Sequence, residues 1–255
     1  MSNLYNELAT VYEAMYQTFI DYEQEYIYYS DILKKYKKQQ VLEIGCGTGH
    51  LANYFQKHGF DYIGLDFSEE MIQLGKVKAP TCEFLQGDMR DFELGRQLQS
   101  IIITARTTSY LRTNKDINAA FSAINKNLQT GGILCFDFID ANQFIPDIVN
   151  GKEVVHNAIY QNKAYVRKSF WQAHLVDGMD FKWQSTYYKK EDEQLIEIGQ
   201  DNSIIRTFTL NEMELFLAIN GFAIKEIVER ASYAFPTYVV VAEKNTKSIL
   251  WTESP

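Results

Sequence analysis

Two hydrophobic patterns alternate along the first part of the chain. Short apolar runs predict buried strands, and they fall at residues 41–44, 61–66, 82–86, 100–104 and 133–139. Between these runs, apolar residues recur at the spacing of one helix face, as Ile117, Ala120 and Phe121 do within residues 116–128. Strands that alternate with helices predict a parallel sheet with helices packed against it.

The pattern changes after the fifth predicted strand. Within residues 154–208, long segments alternate apolar and polar positions. A period of two predicts antiparallel hairpins, so we interpret this segment as an insertion. Beyond it, Thr209 and Glu212 form a capping box that opens a helix. This helix and the two strands that complete the sheet are predicted at residues 209–220, 223–229 and 237–243.

The N-terminal segment, residues 3–37, predicts two helices that are rich in tyrosine. Leu8, Val11 and Met15 recur at helical spacing, so one face is expected to pack on the rest of the protein. Tyrosine combines apolar area with a hydroxyl group, which suits a half-buried lid as well as the edge of a core. The expected organisation is a helical lid at residues 1–38, a core at residues 39–150 and 207–245, and an antiparallel cap at residues 151–206.

Composition narrows the classes of protein that fit. The 255 residues are 46% hydrophobic, which suits one large α/β domain with an insertion. The net charge is −8 and no long run of Lys or Arg occurs, so nucleic acid is not expected as a partner. Three cysteines, an odd number, predict free thiols in a reducing cytosol. Because neither a signal-like N-terminus nor a long apolar run is visible, we expect a soluble cytoplasmic protein without membrane contact.

A glycine-rich turn follows the first predicted strand and carries the strongest chemical signal. Gly45, Gly47 and Gly49 allow positive φ and leave no Cβ to keep a ligand away. The turn also directs backbone N–H groups and a helix N-terminus toward whatever binds there. The glycines are spaced GxGxG, whereas dinucleotide-binding turns have GxGxxG, and the acidic Glu43 stands two residues before the first glycine.

Two further strand ends carry acidic residues, Asp66 after the second strand and Asp88 after the third. Together with the glycine turn, this succession resembles the class I S-adenosylmethionine (SAM) methyltransferases. Residues 87–96, the pair Tyr12 and Glu13, and the insertion are similar to a narrower group, the small-molecule N-methyltransferases that include the amino-sugar N,N-dimethyltransferases. The resemblance implies an α/β fold: a Rossmann-like, seven-stranded, mostly parallel sheet flanked by helices, with an antiparallel β insertion after strand 5.

The same resemblance implies a role in SAM binding for each motif. The glycines would line the methionyl part, Asp66 would accept hydrogen bonds from both ribose hydroxyls, and Phe67 would lie along the adenine. Asp88 would accept from the adenine amine, and the backbone N–H of Met89 would reach a ring nitrogen. The expected cofactor-binding set is Tyr12, Glu43, Gly45, Cys46, Gly47, Gly49, Leu51, Asp66, Phe67, Met71, Asp88, Met89 and Thr104. No metal is expected.

Methyl transfer is an in-line displacement at a sulfonium, so the protein mainly aligns donor and acceptor and excludes water. Acceptor contacts are expected from the end of strand 4, the N-terminal tyrosines and the insertion. Arg106 suits a bidentate clamp on a carboxylate or phosphate, which indicates an anionic acceptor; a surface salt bridge is the alternative for this residue. In the sugar enzymes a histidine falls near Tyr110, so acid–base help would come from the Tyr110 hydroxyl. The candidate catalytic residues are Tyr12, Arg106 and Tyr110.

Three functions fit the sequence. The first is a SAM-dependent methyltransferase that transfers the methyl group to a nitrogen or oxygen of a small molecule and releases S-adenosyl-L-homocysteine. The second is a SAM-binding regulatory or scaffold protein without transferase activity. The third is an oxidoreductase with a nucleotide cofactor on the same fold, which the GxGxG spacing disfavours. A small-molecule acceptor is the expected partner, and the chain is expected to be a monomer or a homodimer.

Overall fold

The computed structural model describes residues 9–176, 178–192, 194–230 and 235–245, and in the first helix it describes the side chains of residues 11, 13, 15 and 16. The predicted packing of Leu8 lies outside these residues. The strands are β1 Gln40–Ile44, β2 Asp61–Asp66, β3 Glu83–Gln86, β4 Leu98–Ile103, β5 Leu128–Ile139, β6 Lys152–Tyr160, β7 Lys163–His174, β8 Asp180–Glu191, β9 Gln194–Arg206, β10 Phe222–Glu229 and β11 Thr237–Lys244.

Two helices precede β1, and a helix follows each of β1, β2, β4, β5 and β9. They are α1 Ala9–Tyr16, α2 Tyr22–Lys35, α3 His50–Lys57, α4 Glu69–Lys78, α5 Asn114–Asn127, α6 Ala141–Ile148 and α7 Leu210–Ile219, and a short 3-10 helix covers Thr107–Tyr110. None of the described helices has the length and apolar character required to cross a membrane.

The larger sheet has seven strands in the order β10-β11-β5-β4-β1-β2-β3. The pairs from β5 to β3 are parallel, whereas β11 runs antiparallel to both of its neighbours. The predicted seven-stranded, mostly parallel sheet is thereby confirmed. The chain order reverses between β4 and β1, and in open α/β sheets ligands bind outside the carboxyl ends of the strands at such a point.

Both faces of the central strand β1 are covered. Leu42 belongs to the same core cluster as Phe121 of α5, and Val41 belongs to the cluster that contains Leu33 of α2 and Phe55 of α3. All five side chains are fully buried. Because helices pack on both faces, the strand ends that carry the predicted motifs are fixed by the core.

The helix starts follow local capping chemistry. Ser68 caps α4 with its hydroxyl, and Thr209 and Glu212 form the predicted capping box at α7. Helix α6 was not predicted from the sequence. Asp140 caps it as a typical N-cap residue, but Pro146 lies within the helix, where proline normally argues against helix formation.

The insertion forms a second sheet of four antiparallel strands in the order β6-β7-β8-β9, which confirms the predicted antiparallel segment. Its register aligns Trp171, Trp183 and Ser203 across three neighbouring strands. Trp171 lies in an aromatic cluster with Phe144 of α6 and Phe235. This cluster attaches the insertion to the helix that follows β5.

Candidate active site

A cavity of about 480 Å³ opens at the carboxyl ends of β1, β2 and β3. The predicted site residues that line it are Gly45, Gly47, Asp66, Phe67, Asp88, Met89, Arg106 and Tyr110. A smaller cavity of about 40 Å³ adjoins it, since Gly45, Gly47 and Ala105 line both. The predicted residues at this smaller cavity also include Glu43, Cys46, Leu51 and Thr104. The two cavities thus bring most of the predicted set together.

The three glycines of the turn have different structural roles: one leaves space for a ligand and the others allow close packing. At Gly47, with φ of 52°, a Cβ would meet no atom within 4 Å, so the backbone is open toward a ligand. At Gly45 a Cβ would collide with the side chain of Thr107. Gly49 has φ of 72° and lines neither cavity, and a Cβ there would lie 2.8 Å from the ring of Phe84. Gly49 therefore serves packing.

The Phe84 ring requires two further glycines that the sequence did not single out. A Cβ added at Gly64 of β2 would lie 2.8 Å from this ring, and one added at Gly75 of α4 would lie 2.9 Å from it. Together with Gly49, these positions let α3 and α4 approach the sheet closely. The third glycine of the GxGxG pattern is thus part of a packing arrangement that supports the turn.

Asp66 ends β2 and holds the glycine turn from the side. Its Oδ2 accepts the backbone N–H of Gly47 at 2.8 Å, and its Oδ1 accepts that of Ser68 at 2.9 Å. Burial raises the pKa of Asp66, although these hydrogen bonds act in the opposite direction. Each carboxylate oxygen keeps acceptor capacity beyond its one backbone partner, and the residue lines the large cavity.

Glu43 provides a buried carboxyl group at the smaller cavity. Its oxygens accept hydrogen bonds from the hydroxyl of Tyr62 at 2.6 Å and from Oγ1 of Thr104 at 2.8 Å. Burial raises the pKa of Glu43 to about 7, although both hydrogen bonds lower it. A cationic group bound here would favour the ionised form, because an opposite charge nearby stabilises a carboxylate.

Asp88 is held by its neighbour Arg90. The carboxylate accepts the backbone N–H of Arg90 at 2.9 Å and its Nη2 at 2.6 Å, and these bonds lower the pKa of Asp88. Arg90 also reaches Asp116 at 2.9 Å. Asp88 therefore lies in the cavity wall with a fixed orientation, and its contact with adenine stays a prediction. Phe67, which would lie along the adenine, is 49% exposed in the same wall.

Cationic side chains enter the large cavity from the segment after β4. Arg106 is 7% exposed, and its guanidinium lies 5.1 Å from the centre of the Phe235 ring. Its backbone N–H donates to Oδ1 of Asp137 at 2.7 Å. Burial raises the pKa of Asp137 to about 6, against the effect of the Arg106 charge. Arg112, which sequence reasoning did not name, lines the same cavity and is exposed.

Some predicted residues lie elsewhere, and others were missed. Met71 is 1% exposed and, like Gly49, lines neither cavity. Tyr12 lies in α1, but its side chain is outside the described residues. The cavities are also lined by Tyr16 and Tyr22, two of the N-terminal tyrosines expected to contact the acceptor. Further lining residues were not predicted as site residues, among them Ile20, Glu25, Thr48, His50, Trp183 and Ser203. The alternation in the insertion predicted its strands, but the register that pairs Trp183 with Ser203 could not be read from the sequence.

These residues fit SAM as a ligand. Gly47 leaves the backbone open, Asp66 offers acceptor oxygens to a vicinal diol, and Glu43 offers a negative charge to a cationic end. A Rossmann-like sheet with this turn and an acidic residue at the end of β2 defines a SAM-binding enzyme of the methyltransferase class.

Comparison with known proteins gives the same class. A family described as "Methyltransferase domain" matches residues 41–132. An uncharacterized methyltransferase of Bacillus thuringiensis is 32% identical over 149 residues, 56% of this chain and 69% of that protein. The dTDP-3-amino-3,4,6-trideoxy-alpha-D-glucopyranose N,N-dimethyltransferase of Streptomyces venezuelae is 34% identical over 94 residues, 37% of this chain and 40% of that protein. The structure of SAM-bound CalS10, an amino pentose methyltransferase from Micromonospora echinaspora, has a TM-score of 0.78 at 21% identity and covers 92% of this chain and 97% of its own.

The chain belongs to the SAM-dependent methyltransferases, and SAM is its cofactor. The predictions of fold, cofactor and enzyme class are thereby confirmed. The match to the Streptomyces enzyme spans less than half of that enzyme's length.

Proposed function

We propose that the enzyme methylates the amine nitrogen of a small molecule that also carries a negative charge. The observation that carries this proposal is the change of charge along the large cavity. At the strand ends the cavity is lined by Asp66 and by Asp88, which is paired with Arg90, whereas Arg106 and Arg112 line the part contributed by the segment after β4. The donor is a cation and suits the acidic part, so an anionic acceptor suits the basic part.

Arg112 is the better of the two arginines for holding an anion. Arg106 is buried against Phe235 and lies close to Asp137. The side chain of Arg112 is exposed, and the ion pairs found among the described residues do not include it. A guanidinium in a cavity wall binds carboxylate or phosphate oxygens in a bidentate manner. The proposed anion contact therefore shifts from Arg106 alone to Arg106 together with Arg112.

The relatives support nitrogen as the acceptor atom. The name of the Streptomyces enzyme specifies an amino sugar linked to a nucleoside diphosphate, and CalS10 is described as an amino pentose methyltransferase. Both names combine an amine with a sugar, and the first adds phosphate groups. An amino sugar that carries phosphate is the acceptor class that best fits the arginines of this cavity.

SAM supplies a methyl group bound to a positively charged sulfur. The work of the chain is to bind and orient the two reactants and to exclude water. Asp66 and Glu43 hold the donor, while Arg112 holds the acceptor's anionic end. Tyr110, which is 39% exposed in the cavity wall, accepts a hydrogen bond from the acceptor amine at its Oη and orients the nitrogen lone pair. The same hydroxyl passes the proton released after transfer toward solvent.

The N-terminal helices and the insertion serve as the lid and the cap of this site. Tyr16 from the end of α1 lines the large cavity, and Ile20 and Tyr22 line the small one. From the insertion, Trp183 and Ser203 line the large cavity. With these walls in place, the acceptor is enclosed by parts of the chain that lie outside the SAM-binding core.

The release of S-adenosyl-L-homocysteine with a panel of amines tests the proposal. The panel contains phosphorylated amino sugars, their uncharged counterparts and amino-free alcohols. Arg112→Gln should lower kcat/KM for the phosphorylated amines about tenfold or more, since a charge-assisted hydrogen bond contributes about 1.5–3 kcal/mol. Uncharged amines should be unaffected, and Arg112→Lys should retain part of the activity. Arg96→Gln, at an exposed arginine paired with Glu83, is the matched control.

Two results would contradict the proposal. An equal loss of kcat/KM with charged and uncharged amines in Arg112→Gln would show that Arg112 does not contact an anionic group of the acceptor. Turnover of the alcohols alone would assign the acceptor atom to oxygen. Calorimetric titration with SAM distinguishes both of these results from a loss of SAM binding. Asp66→Ala is the reference variant, in which SAM binding is expected to be lost. SAM binding without turnover of any panel member would leave the non-catalytic SAM-binding function as the better account.

A further inference from the structure

A buried ion-pair cluster joins α1 to the glycine turn. Glu13 of α1 accepts a hydrogen bond from Oγ1 of Thr48 at 2.7 Å and one from Nζ of Lys78 at 2.6 Å, and it lies 3.0 Å from Nε2 of His50. Thr48 belongs to the glycine turn, His50 begins α3 and Lys78 ends α4. One carboxylate on α1 therefore contacts three elements around the donor end of the site.

This cluster differs from a surface salt bridge because its members are largely buried. The side chains of Glu13, His50 and Lys78 are 12%, 17% and 28% exposed. Burial alone would raise the pKa of Glu13, but the hydrogen bonds from His50 and Lys78 outweigh it and lower the pKa to about 2. The carboxylate is thus charged at neutral pH, and charge-assisted hydrogen bonds of this kind are stronger than neutral ones.

The C-terminal end of α1 packs on the insertion. Met15 and Tyr16 share a core cluster with Ala158 and Tyr187 of the antiparallel sheet. Tyr16 also lines the large cavity. Helix α1 therefore extends from the glycine turn, where Glu13 is held, to the cap, where Tyr16 is held.

The segment after α1 is held at the same place. The ring of Tyr22, the first residue of α2, stacks on His50 with a distance of 3.9 Å between ring centres and 8° between planes. Tyr22 and His50 line the small cavity, as do Thr48 and Ile20. Glu13 itself lines neither cavity. Its carboxylate contacts Thr48 and His50 of this wall and Lys78 behind them, and it also accepts a hydrogen bond from the side chain of Gln17.

We infer that Glu13 is a positioning residue for methyl transfer, which holds α1 against the glycine turn and thereby places Tyr16 and Tyr22 in the walls of the site. It acts through α1 and does not touch the reactants. When its contacts are lost, α1 separates from the turn, the donor end opens to water and SAM leaves faster. The inference requires that the enzyme binds SAM, which the family establishes. It requires no particular acceptor, so its test is independent of the proposed substrate.

The test compares SAM dissociation with the local stability of α1. Glu13→Gln keeps the shape of the side chain but removes its charge, and Lys78→Met removes the partner. In each variant, the dissociation rate of SAM should rise about tenfold, because a lost charge-assisted hydrogen bond lets α1 open more often from the donor end. Hydrogen exchange within residues 9–16 should increase, and the melting temperature of the core should change little. Lys76→Met, at an exposed lysine of the same helix, is the control.

Two further variants make the result specific. The double variant should be no worse than either single variant, since residues in one contact are not additive. The exchanged pair, Glu13→Lys with Lys78→Glu, should recover slow SAM dissociation. The inference is overturned if Glu13→Gln releases SAM at the rate of the parent protein, whether or not exchange in α1 increases. If Glu13→Gln does not fold, Glu13→Asp, which withdraws the carboxylate by one methylene, is subject to the same criterion.

Discussion

The two ends of the large cavity are built in different ways. The proposed donor end consists of a glycine turn and of residues at the ends of three strands that follow one another in the chain and lie side by side in the sheet. The acceptor end consists of side chains from distant segments, with Arg112 after β4 and Trp183 and Ser203 from the insertion. The donor end therefore depends on the core of the protein, whereas the acceptor end depends on how the insertion is attached.

This difference predicts two kinds of mutational effect. Changes at the donor end should alter folding stability or SAM affinity, because neighbouring residues of the turn serve packing and ligand binding. Changes at the acceptor end should alter the acceptor's KM and leave SAM affinity intact. A single residue that violated this rule would show that the two ends are not separable.

The largest effect is expected within the glycine turn itself. Gly49→Ala should destabilise the protein by about 4 kcal/mol, since it combines a left-handed backbone with overpacking against the Phe84 ring. Gly47→Ala should cost only about 1 kcal/mol, because its Cβ meets open space, but it should weaken SAM binding about tenfold or more. Urea unfolding and calorimetric titration of both variants measure the two effects. If Gly49→Ala were fully stable but had lost its affinity for SAM, the assignment of Gly49 to packing and Gly47 to ligand binding would be wrong.

A smaller effect is expected at Glu43, where folding stability and ligand binding oppose each other. The pKa of this carboxyl is raised from 4.5 to about 7 by burial. Below pH 4.5 it is protonated in both the folded and the unfolded state. As the pH rises to about 7, the unfolded chain ionises first, so the folded protein loses up to about 3 kcal/mol of stability, and the loss is constant above that pH.

Glu43→Gln should remove this pH dependence. The variant should be more stable than the parent protein at pH 8 and equally stable at pH 4, as followed by melting temperature. Its affinity for SAM should fall more than its affinity for S-adenosyl-L-homocysteine, which lacks the positive charge on sulfur. A stability difference that does not change with pH would show that the carboxyl is not the group responsible.

The smallest effect is expected at the acceptor end. Nε1 of Trp183 donates to Oγ of Ser185 at 2.8 Å and to Oγ of Ser169 at 3.3 Å, which fixes the ring in the cavity wall. Trp183→Phe should raise the acceptor's KM about fivefold, the effect of roughly 1 kcal/mol, and leave the Kd for SAM unchanged. Lys182→Ala, at the exposed neighbour, is the control. If the Kd for SAM rose in parallel, the prediction that the two ends of the cavity act separately would be wrong.

The sequence predicted the glycine turn and the strand ends well because their determinants are local. A turn, a strand end and an N-cap each need particular residue types at short spacing, as Gly47, Asp66 and Ser68 illustrate. The role of Gly49 as packing was not visible, because it depends on Phe84 from another strand. Helix α6 was missed because Pro146 masks an otherwise ordinary N-cap signal.

The acceptor end was predicted only as a region. Nothing in the spacing of Arg112, Trp183 and Ser203 shows that they share a cavity, because strand register and helix packing bring them together. The contact of Glu13 with Lys78 joins residues 65 positions apart and has the same origin. Arg106 was named correctly as a cavity residue, but its packing on Phe235 depends on a segment more than a hundred residues away.

The arrangement around Phe84 has an evolutionary consequence. Three positions without side chains, on a turn, a strand and a helix, meet one aromatic ring. A Cβ at any of the three glycines requires a smaller residue at position 84, and a Cβ at Gly64 would also lie 2.8 Å from Sγ of Cys46. In an alignment of related enzymes, we expect Gly49, Gly64 and Gly75 to covary with the volume of the residue at position 84.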